Sequence, residues 1–310
     1  MFANSFFFRS PRIVRGSARA TLATLSLMAL ATLAACGGDG GSTAGPPTAT
    51  VSSISVAATK YAAPALVTIN GTGLDSTLSV TSAGCANMTL LTAAPTVSSS
   101  TTAYYSCTVD GAITSTVVAA SNGTTVGTSP SFTVPQPIVT MTVNNGQGVN
   151  GNITFTLAAD KAPATVFNFL TYVNSGFYNG TIFHRVVSGF IAQAGGYAGP
   201  VTDLSTATLK ATNAAIPVES TGLSNVQWSV AMANTGQAGA NTTSQFFINL
   251  VNNTGLDGGY AVFGTVSAGT DVVGDIVAAP ASCVDNRTIT GTIDCLPIPN
   301  VTIVTATQTQ

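Results

Sequence analysis

The sequence predicts a mainly β protein with two domains, in which a small antiparallel β-sandwich precedes a closed antiparallel β-barrel capped by two helices. Residues 51–134 contain short alternating runs of apolar and polar residues separated by Asn/Gly turns, a rhythm typical of a sandwich. Beyond the stiff linker Pro135-Gln136-Pro137, two amphipathic helical patterns stand among many strand-like runs. Closing those strands into a barrel removes the exposed edges of an open sheet. The 310-residue chain is long enough for both cores.

Residues 1–35 have the features of an export signal. Four arginines precede an uninterrupted run of small and apolar residues from Ala20 to Ala35, which is too short to span a bilayer comfortably. The run ends in Leu33-Ala34-Ala35-Cys36, which resembles the bacterial lipobox, where the cysteine becomes the lipidated first residue of the mature protein. We therefore predict a lipoprotein signal peptide over residues 1–35 and lipidation of Cys36. An ordinary secretory signal with a chance cysteine is the alternative.

Residues 36–50 are rich in Gly, Pro and Thr, a composition typical of a flexible tether. Gly37 follows the cysteine at the position where lipoproteins retained in the inner membrane often carry Asp. By that analogy we predict a lipid-anchored protein of the cell envelope, held in the outer membrane and facing the periplasm.

The charge balance excludes one class of partner. Without residues 1–35 the chain keeps five basic residues against eleven acidic ones, a formal charge of −6. The sequence contains no basic patch or stripe, which argues against nucleic acid as a partner. Abundant Thr, Ser, Asn and Gly suit β-rich domains outside the cytoplasm.

The cysteines fit an oxidising compartment. Apart from Cys36, they fall into two local pairs, Cys85 with Cys107 and Cys283 with Cys295, each inside one predicted domain. Four cysteines allow three connectivities, so the local pairing is a preference. A zinc site is the poorer alternative, because no Cys-x-x-Cys spacing occurs and the only histidine is far away in sequence. We predict no metal and no other cofactor.

Residues 51–134 are predicted to form the sandwich. Strand-like runs alternate here with turn residues; examples are Leu66 to Ile69, Leu78 to Thr81, Ala103 to Cys107 and Ser115 to Val118. The stretch from Ile69 to Leu74 is similar to turns in immunoglobulin-like domains of bacterial surface proteins, so we expect an immunoglobulin-like β-sandwich. This resemblance implies no activity. Two roles stay open, a spacer that lifts the next domain off the membrane and a binding module.

Residues 138–310 are predicted to form the barrel. Ile138 to Val143 and Gly151 to Leu157 are predicted as a hairpin around an Asn/Gly-rich turn. Ala162-Pro163 opens a helix, because proline is tolerated in the first helical turn, and a glycine stands where the C-terminal cap would fall. A second helix is predicted over Asp271 to Ala278, with its apolar side chains on one face.

Seven segments of the second half follow the order, and nearly the spacing, of motifs in one enzyme family. They are Ala162 to Phe169, Phe177-Tyr178, Phe183 to Gln193, Met232 to Asn234, Ser244 to Asn249, Leu256 to Gly258 and Tyr260 to Gly264. Together they resemble the cyclophilin-type peptidyl-prolyl cis-trans isomerases over about residues 139–306. The resemblance implies a cyclophilin-like barrel and an enzyme that acts on X-Pro bonds.

The residue types present suit that reaction. Rotation about an X-Pro bond crosses a barrier of about 18–20 kcal/mol, and the twisted transition state loses amide resonance. Catalysis needs an apolar pocket for the pyrrolidine ring, a donor to the prolyl nitrogen and polar groups that hold the flanking backbone. The predicted barrel contains one histidine and one glutamate, which fits a reaction without a nucleophile, a metal or an acid–base pair.

The resemblance implies a catalytic role for three residues. Arg185 would donate to the prolyl amide, Phe190 would wall the proline pocket, and Gln193 would orient Arg185 or the substrate carbonyl. The residues implied in substrate binding are His184, Ile191, Ala233, Asn234, Gln245, Phe247, Leu256 and Tyr260. His184 would be a structural neighbour of the arginine rather than a proton carrier. Without the family pattern, Arg185 could instead pair with Glu219 or a nearby Asp, because burying an unpaired charge is expensive.

Three positions depart from the family pattern. Gly255 stands where the family usually has Trp or Phe, which predicts a wider site and weaker binding of the macrocyclic inhibitor cyclosporin. Ser188 replaces a common proline. Ala194 replaces the first glycine after Gln193, a change that matters if that backbone needs positive φ. The segment from Cys283 to Cys295 is an insertion before the last strand, where a disulfide would staple a surface loop.

The sequence thus predicts a monomeric peptidyl-prolyl isomerase that assists the folding of exported proteins in the cell envelope. Its expected partners are proline-containing polypeptides and the membrane, which it reaches through Cys36. The alternative is a weakly active or inactive cyclophilin-fold binding module of a surface lipoprotein. Gly255 is the feature that favours this alternative.

Overall fold

The computed structural model describes residues 48–57, 60–111, 114–205, 207–234, 241–285 and 293–310. The predicted signal peptide, Cys36 and most of the tether lie outside these residues. The described residues all belong to one compact unit. Within the described ranges, no helix is both long and apolar enough to cross a membrane.

The first half of the chain folds into small antiparallel sheets. Strands β1 to β9 are, in order, Thr50–Ala57, Pro64–Thr72, Ser79–Ser82, Cys85–Leu90, Thr102–Val109, Thr114–Ser115, Val117–Ser121, Thr124–Thr128 and Phe132–Thr133. One sheet has the order β1-β2-β5-β4, a second has the order β3-β7-β8, and β6 pairs with β9. Buried and half-buried side chains alternate along β5, as expected for a strand with one face on a core. A disulfide between Cys85 and Cys107 joins β4 to β5.

One predicted strand of this region is divided. The run from Ser115 to Val118 was expected to be continuous, but Ser115 ends β6 and Val117 begins β7, and these strands belong to different sheets. The Val117 N–H donates to the Ser129 hydroxyl over 2.9 Å instead of to a strand partner. Because Ser115 and Val117 are both buried, the burial pattern of this run does not mark the change of sheet.

The second half contains eleven described strands and two α-helices. Strands β10 to β20 are, in order, Ile138–Asn144, Asn150–Leu157, Thr181–Val187, Ile191–Ala198, Ile216–Pro217, Ser229–Asn234, Asn241–Asn249, Val262–Ala268, Ala281–Asp285, Ile293–Pro297 and Thr302–Gln308. Helix α1 spans Pro163–Asn174 and helix α2 spans Thr270–Ala278, which confirms both predicted helices. The predicted hairpin is also confirmed, because β10 pairs with β11 in antiparallel register.

Eight of the described strands close into a barrel. Their order is β13-β16-β15-β17-β11-β10-β20-β12, and β12 pairs back to β13. All pairings around this circuit are antiparallel. Strand β14 adds to β16, and the hairpin β18-β19 attaches to β12 outside the closed circuit. The predicted barrel with two helices is confirmed.

Aromatic side chains fill the barrel interior. Phe155, Phe169, Tyr178, Phe246 and Phe263 are fully buried. Phe169 comes from α1, and its ring centroid lies 4.9–6.4 Å from those of the other four. The rings meet in tilted or edge-on arrangements, which aromatic pairs prefer over face-to-face stacking. Since side chains occupy the interior of a small barrel, a ligand site on it has to lie on the outer wall.

Helix α1 takes its N-terminal cap from another part of the chain. Pro163 occupies its first turn, and Ala162 before it has no side-chain oxygen to cap the exposed N–H groups. Glu219 supplies the oxygens instead, accepting from the Ala164 N–H (3.3 Å) and the Thr165 N–H (2.9 Å). A carboxylate also complements the positive end of the helix dipole. Glu219 is thereby engaged at α1, and the alternative that it pairs with Arg185 is wrong.

Hydrogen bonds join the first sheets to the barrel. The Tyr61 hydroxyl donates to the Pro163 carbonyl at the start of α1 (3.2 Å), and the Gln308 side-chain amide donates to the Tyr61 carbonyl (3.0 Å). These contacts bring β20 and α1 against the segment that precedes β2. The predicted division into domains at residues 135–137 stays a prediction.

Candidate active site

An apolar cluster separate from the main core lies on the outer wall of the barrel. Its buried members are Ile191, Ala231, Phe247 and Val262. They come from β13, β15, β16 and β17, which are neighbours in the barrel. Partly buried side chains surround them: Phe190, Leu223, Ala233, Leu256 and Tyr260. We call these nine residues the outer pocket.

Strand pleating explains why these strands are apolar on both faces. Successive side chains of a strand point to opposite faces of the sheet. Phe246 therefore lies in the interior, whereas Phe247 lies in the outer pocket. Ala192 and Ile191 divide in the same way on β13. Adjacent residues of one strand thus contribute alternately to the core and to the outer pocket.

Two aromatic rings form the floor and one side of the outer pocket. Phe247 is only 2% exposed. The Tyr260 ring meets it edge-on, with the centroids 5.5 Å apart. Such edge-to-face pairs hold both rings in place beyond what apolar burial alone provides. The pocket therefore presents a rigid apolar surface of the kind that a pyrrolidine ring requires.

Asp257 fixes two leucines at the rim of the outer pocket. Its carboxylate accepts from the Asn225 N–H over 2.7 Å and from the Ser224 hydroxyl. These hydrogen bonds, with that of Ser224 the stronger influence, lower the pKa of Asp257 below its usual value. The loop that carries Leu223 is thereby held to the turn that carries Leu256.

Arg185 stands beside the outer pocket with its charge paired. Its Nε donates to Asp294 Oδ1 over 2.9 Å, and its Nη2 lies 2.9 Å from the same oxygen. The two side chains are 24% and 19% exposed, so both charges are largely removed from water. Asp294 belongs to β19, inside the insertion that the sequence predicted before the last strand.

Gln193 and Gln245 form an amide pair next to Arg185. Gln193 lies opposite Arg185 in the pairing of β12 with β13, and its Nε2 donates to Gln245 Oε1 over 2.9 Å. A cavity of about 720 Å³ opens here, lined by Arg185, both glutamines, Asp294 and Leu296 among others. The predicted polar groups are therefore gathered along one side of the outer pocket.

Ala233 and Asn234 end strand β15 on the other side of the outer pocket. Ala233 packs against its apolar cluster. The Asn234 side-chain amide donates to the Gly259 carbonyl over 2.6 Å, which braces the turn before Tyr260. The structure thus places all eleven predicted site residues, from His184 to Tyr260, around one surface of the barrel.

A comparison with protein families matches residues 138–307 to the cyclophilin type peptidyl-prolyl cis-trans isomerase family. The chain belongs to the cyclophilin type peptidyl-prolyl cis-trans isomerase family. Peptidyl-prolyl cis-trans isomerase A of Dickeya dadantii is 46% identical over 132 residues, which cover 41% of this chain and 66% of the relative. Peptidyl-prolyl cis-trans isomerase B of Escherichia coli is 44% identical over 136 residues, which cover 41% and 79%. A solved Cryptosporidium parvum cyclophilin type isomerase aligns with 57% of this chain and 99% of its own, with a TM-score of 0.44 and 22% identity.

One departure from the cyclophilin pattern is accommodated by the backbone. Ala194 is buried in β13 and pairs with Phe183, and it is not among the described residues with positive φ. The left-handed position is that of the next residue, Gly195, at φ +86°. A Cβ on Gly195 would come within 2.9 Å of the Ser244 carbonyl oxygen, so glycine is required there.

Four residues of the candidate site were missed by the sequence reasoning: Ala231, Val262, Leu223 and Asp294. Ala231 adjoins a recognised motif but has no signal of its own. Val262 could have been found, because it alternates with the core residue Phe263 inside a recognised motif. Leu223 lies in a loop and has no local pattern that would mark it. Asp294 is distinguished in the sequence only as the neighbour of Cys295, and its contact with Arg185 joins residues 109 positions apart.

His184 is a buried, neutral neighbour of the candidate site. The side chain is 4% exposed, and its ring meets Tyr197 edge-on at 4.9 Å. Burial lowers the pKa of His184 from 6.5 to about 4, although hydrogen bonds to the Ile182 backbone and the Gln245 side chain oppose the shift. Arg185 lowers the pKa further by repulsion. The imidazole is therefore uncharged near neutral pH.

The depressed pKa of His184 predicts acid sensitivity of the fold. Between pH 6.5 and about 4 the unfolded chain binds a proton at His184 that the folded chain does not. The free energy of unfolding should therefore fall by about 3 kcal/mol as pH drops through that window. Urea denaturation of wild type and His184→Asn at pH 7 and pH 4 measures the difference. An equal loss in both proteins would contradict the prediction.

Among the described residues, no group of three or more His, Cys, Asp or Glu side chains is placed to hold a metal ion. The second predicted disulfide pair, Cys283 with Cys295, is bonded and joins β18 to β19.

Proposed function

We propose that the barrel isomerises X-Pro bonds of exported polypeptides and so assists their folding in the cell envelope. The observation that carries the proposal is the outer pocket with Arg185 beside it. A prolyl ring docked against Phe247 would be shielded from water, and the Arg185 guanidinium would donate to the prolyl nitrogen. The reaction needs this combination of apolar surface and fixed donor.

The proposed mechanism relies on electrostatic preorganisation. As the X-Pro bond twists, the nitrogen lone pair leaves conjugation and becomes a better hydrogen-bond acceptor. A donor that is already oriented, in surroundings with little water, stabilises that nitrogen more than it stabilises the planar ground state. Neutral His184 takes no part in proton transfer. The amide pair of Gln193 and Gln245, with Ala233 and Asn234 opposite, would hold the backbone on the two sides of the proline.

The cellular setting is also proposed from the chemistry of the chain. Two disulfides, one in each half, suit an oxidising compartment outside the cytoplasm. The Leu33-Ala34-Ala35-Cys36 segment supplies the signal for lipid attachment, and residues 36–50 supply the tether. We propose a monomer anchored in the outer membrane and facing the periplasm, with residues 51–134 as an immunoglobulin-like spacer.

Two measurements test this function. The full chain produced in a bacterial host with labelled palmitate should carry the label, and Cys36→Ser should not; an unlabelled wild type would indicate an ordinary secretory signal. Refolding of an exported protein whose slow phase is limited by an X-Pro bond should be faster with the purified protein. An unchanged slow phase would exclude the folding role.

A second candidate is a binding module with negligible turnover, and Gly255 favours it. A Cβ added at Gly255 would have no atom within 4 Å, so the family's aromatic side chain is replaced by open space at this edge of the outer pocket. Tight capture of proline-containing ligands without acceleration of their isomerisation would select this candidate over the enzyme.

Gly255→Trp is predicted to strengthen ligand binding. The indole would extend the apolar wall beside Leu256, and we expect cyclosporin to bind about tenfold more tightly than to wild type. Isothermal titration with both proteins measures the gain. Gly274→Trp is the matched control, because its added Cβ also meets no atom within 4 Å but lies on α2. Nanomolar inhibition of the wild type would show that the missing aromatic has no consequence.

A further inference from the structure

The partner of Arg185 comes from outside the closed barrel. Arg185 lies on β12, one of the eight barrel strands, whereas Asp294 lies on β19, in the hairpin attached to the outside of β12. The single carboxylate oxygen Oδ1 meets both Nε and Nη2 at 2.9 Å. The ion pair thus engages the edge of the guanidinium that carries Nε and Nη2.

Strand register places the two side chains together. Val186 pairs with Cys295 where β12 meets β19 in antiparallel orientation. Since neighbours of a paired residue point to the opposite face, Arg185 and Asp294 project on the same side of these strands. They are diagonal neighbours, a separation that a long arginine side chain spans.

A covalent bond fixes the strand that carries Asp294. Cys295, the next residue, is disulfide-bonded to Cys283 on β18. Five residue pairs connect β18 and β19, from Ala281↔Pro297 to Asp285↔Ile293. The carboxylate is therefore attached to a small cross-linked hairpin, which is docked on the barrel next to Arg185.

This arrangement has a direct consequence for the proposed donor. A flexible arginine has to lose side-chain freedom before it can donate in a fixed direction. A charge-assisted contact along one edge of the guanidinium holds the plane and offsets the desolvation of a half-buried cation. The ordering is then complete before the substrate arrives, which favours the transition state.

We propose that Asp294 is a positioning residue for Arg185, held in place by the Cys283–Cys295 disulfide. The inference rests on the proposed donor role of Arg185. Asp294 does not touch the prolyl bond in this scheme. It fixes the plane of the guanidinium beside the outer pocket.

Asp294→Asn in the full chain tests the positioning role. We expect kcat for an Ala-Pro peptide to fall about tenfold with little change in KM, because the lost interaction acts on the transition state. Asp294→Glu should recover part of kcat, since it restores the carboxylate. In the Arg185→Ala background, Asp294→Asn should have no further effect. Wild-type kcat in Asp294→Asn, or additive losses in the double variant, would overturn the proposal.

The disulfide provides a second, independent test of the positioning role. Replacing Cys283 and Cys295 together with alanine should also lower kcat several-fold, because β19 loses its cross-link. The matched control is the double replacement of Cys85 and Cys107, whose disulfide lies in the first half of the chain. Thermal melts of each variant, with rates normalised to folded protein, separate positioning from misfolding. Equal kcat in the two cysteine variants would overturn the role of the disulfide.

The two levels of the proposal fail in different ways. If Arg185→Ala keeps wild-type activity, the donor assignment and the positioning role are both overturned. If Arg185→Ala is inactive and Asp294→Asn is unaffected, only the positioning role is overturned.

Discussion

Arg185→Ala is expected to lower kcat/KM for an Ala-Pro peptide by about a hundred- to a thousandfold. Removing one preorganised donor to the reacting centre typically has an effect of this size. Arg185→Lys should lose less activity than Arg185→Ala, because lysine keeps the positive charge. Its activity should still be below that of wild type, because lysine lacks the planar fork that meets Asp294. The exchange rate between cis and trans peptide, measured by NMR at equilibrium, gives the rates directly.

The control for this substitution is Lys161→Ala. Lys161 is another cation of the barrel region, and its pair with Asp160 is largely exposed at 3.5 Å. Lys161→Ala should leave the isomerisation rate unchanged. An exposed ion pair contributes little to stability, and this pair lies outside the candidate site. Equal acceleration by wild type and Arg185→Ala would show that the donor has been assigned to the wrong residue.

Phe247→Ala is expected to lower mainly the activity, and Phe246→Ala mainly the stability. Phe247 faces the outer pocket, so its loss removes the wall against which a prolyl ring would pack, and kcat/KM should fall about 30- to 100-fold. Phe246 faces the interior, where its ring contacts Phe155, Phe169 and Tyr178. Its loss should lower the free energy of unfolding by about 3–5 kcal/mol and leave the rate per folded molecule within a few-fold of wild type.

Urea denaturation and the peptide exchange assay separate these two outcomes. Phe247 is itself buried, so Phe247→Ala also destabilises the fold, and rates have to be normalised to folded protein. The diagnostic quantity is the ratio of activity loss to stability loss. A larger activity loss in Phe246→Ala than in Phe247→Ala would place the pocket on the wrong face of β16.

The fold of the barrel and most of its site could be predicted from the sequence, because local patterns carry them. The helix at residues 163–174 follows from apolar spacing and an N-terminal proline, and the hairpin before it follows from a polar turn. The family motifs then assign Phe190, Gln193 and Phe247 to one surface, since each motif fixes a strand and its face.

Contacts between distant segments could not be predicted. Glu219 caps α1 across 54 positions of sequence, and Asp294 meets Arg185 across 109. Both are single acidic residues without a local motif, and their partners depend on how a loop and an inserted hairpin pack. The division of the strand at residues 115–118 could not be predicted either, because the alternation of residue types does not show which sheet a residue joins.

If substrates bind in the outer pocket, as we propose, its location on the outer wall determines how a polypeptide can approach. The barrel interior is filled by aromatic rings, so no chain passes through it. A substrate polypeptide then needs neither a free chain end nor complete unfolding to reach the pocket. It can bind along the outer wall as a loop of a few residues. An internal proline on the surface of a large, partly folded protein is then as accessible to this enzyme as one near a terminus.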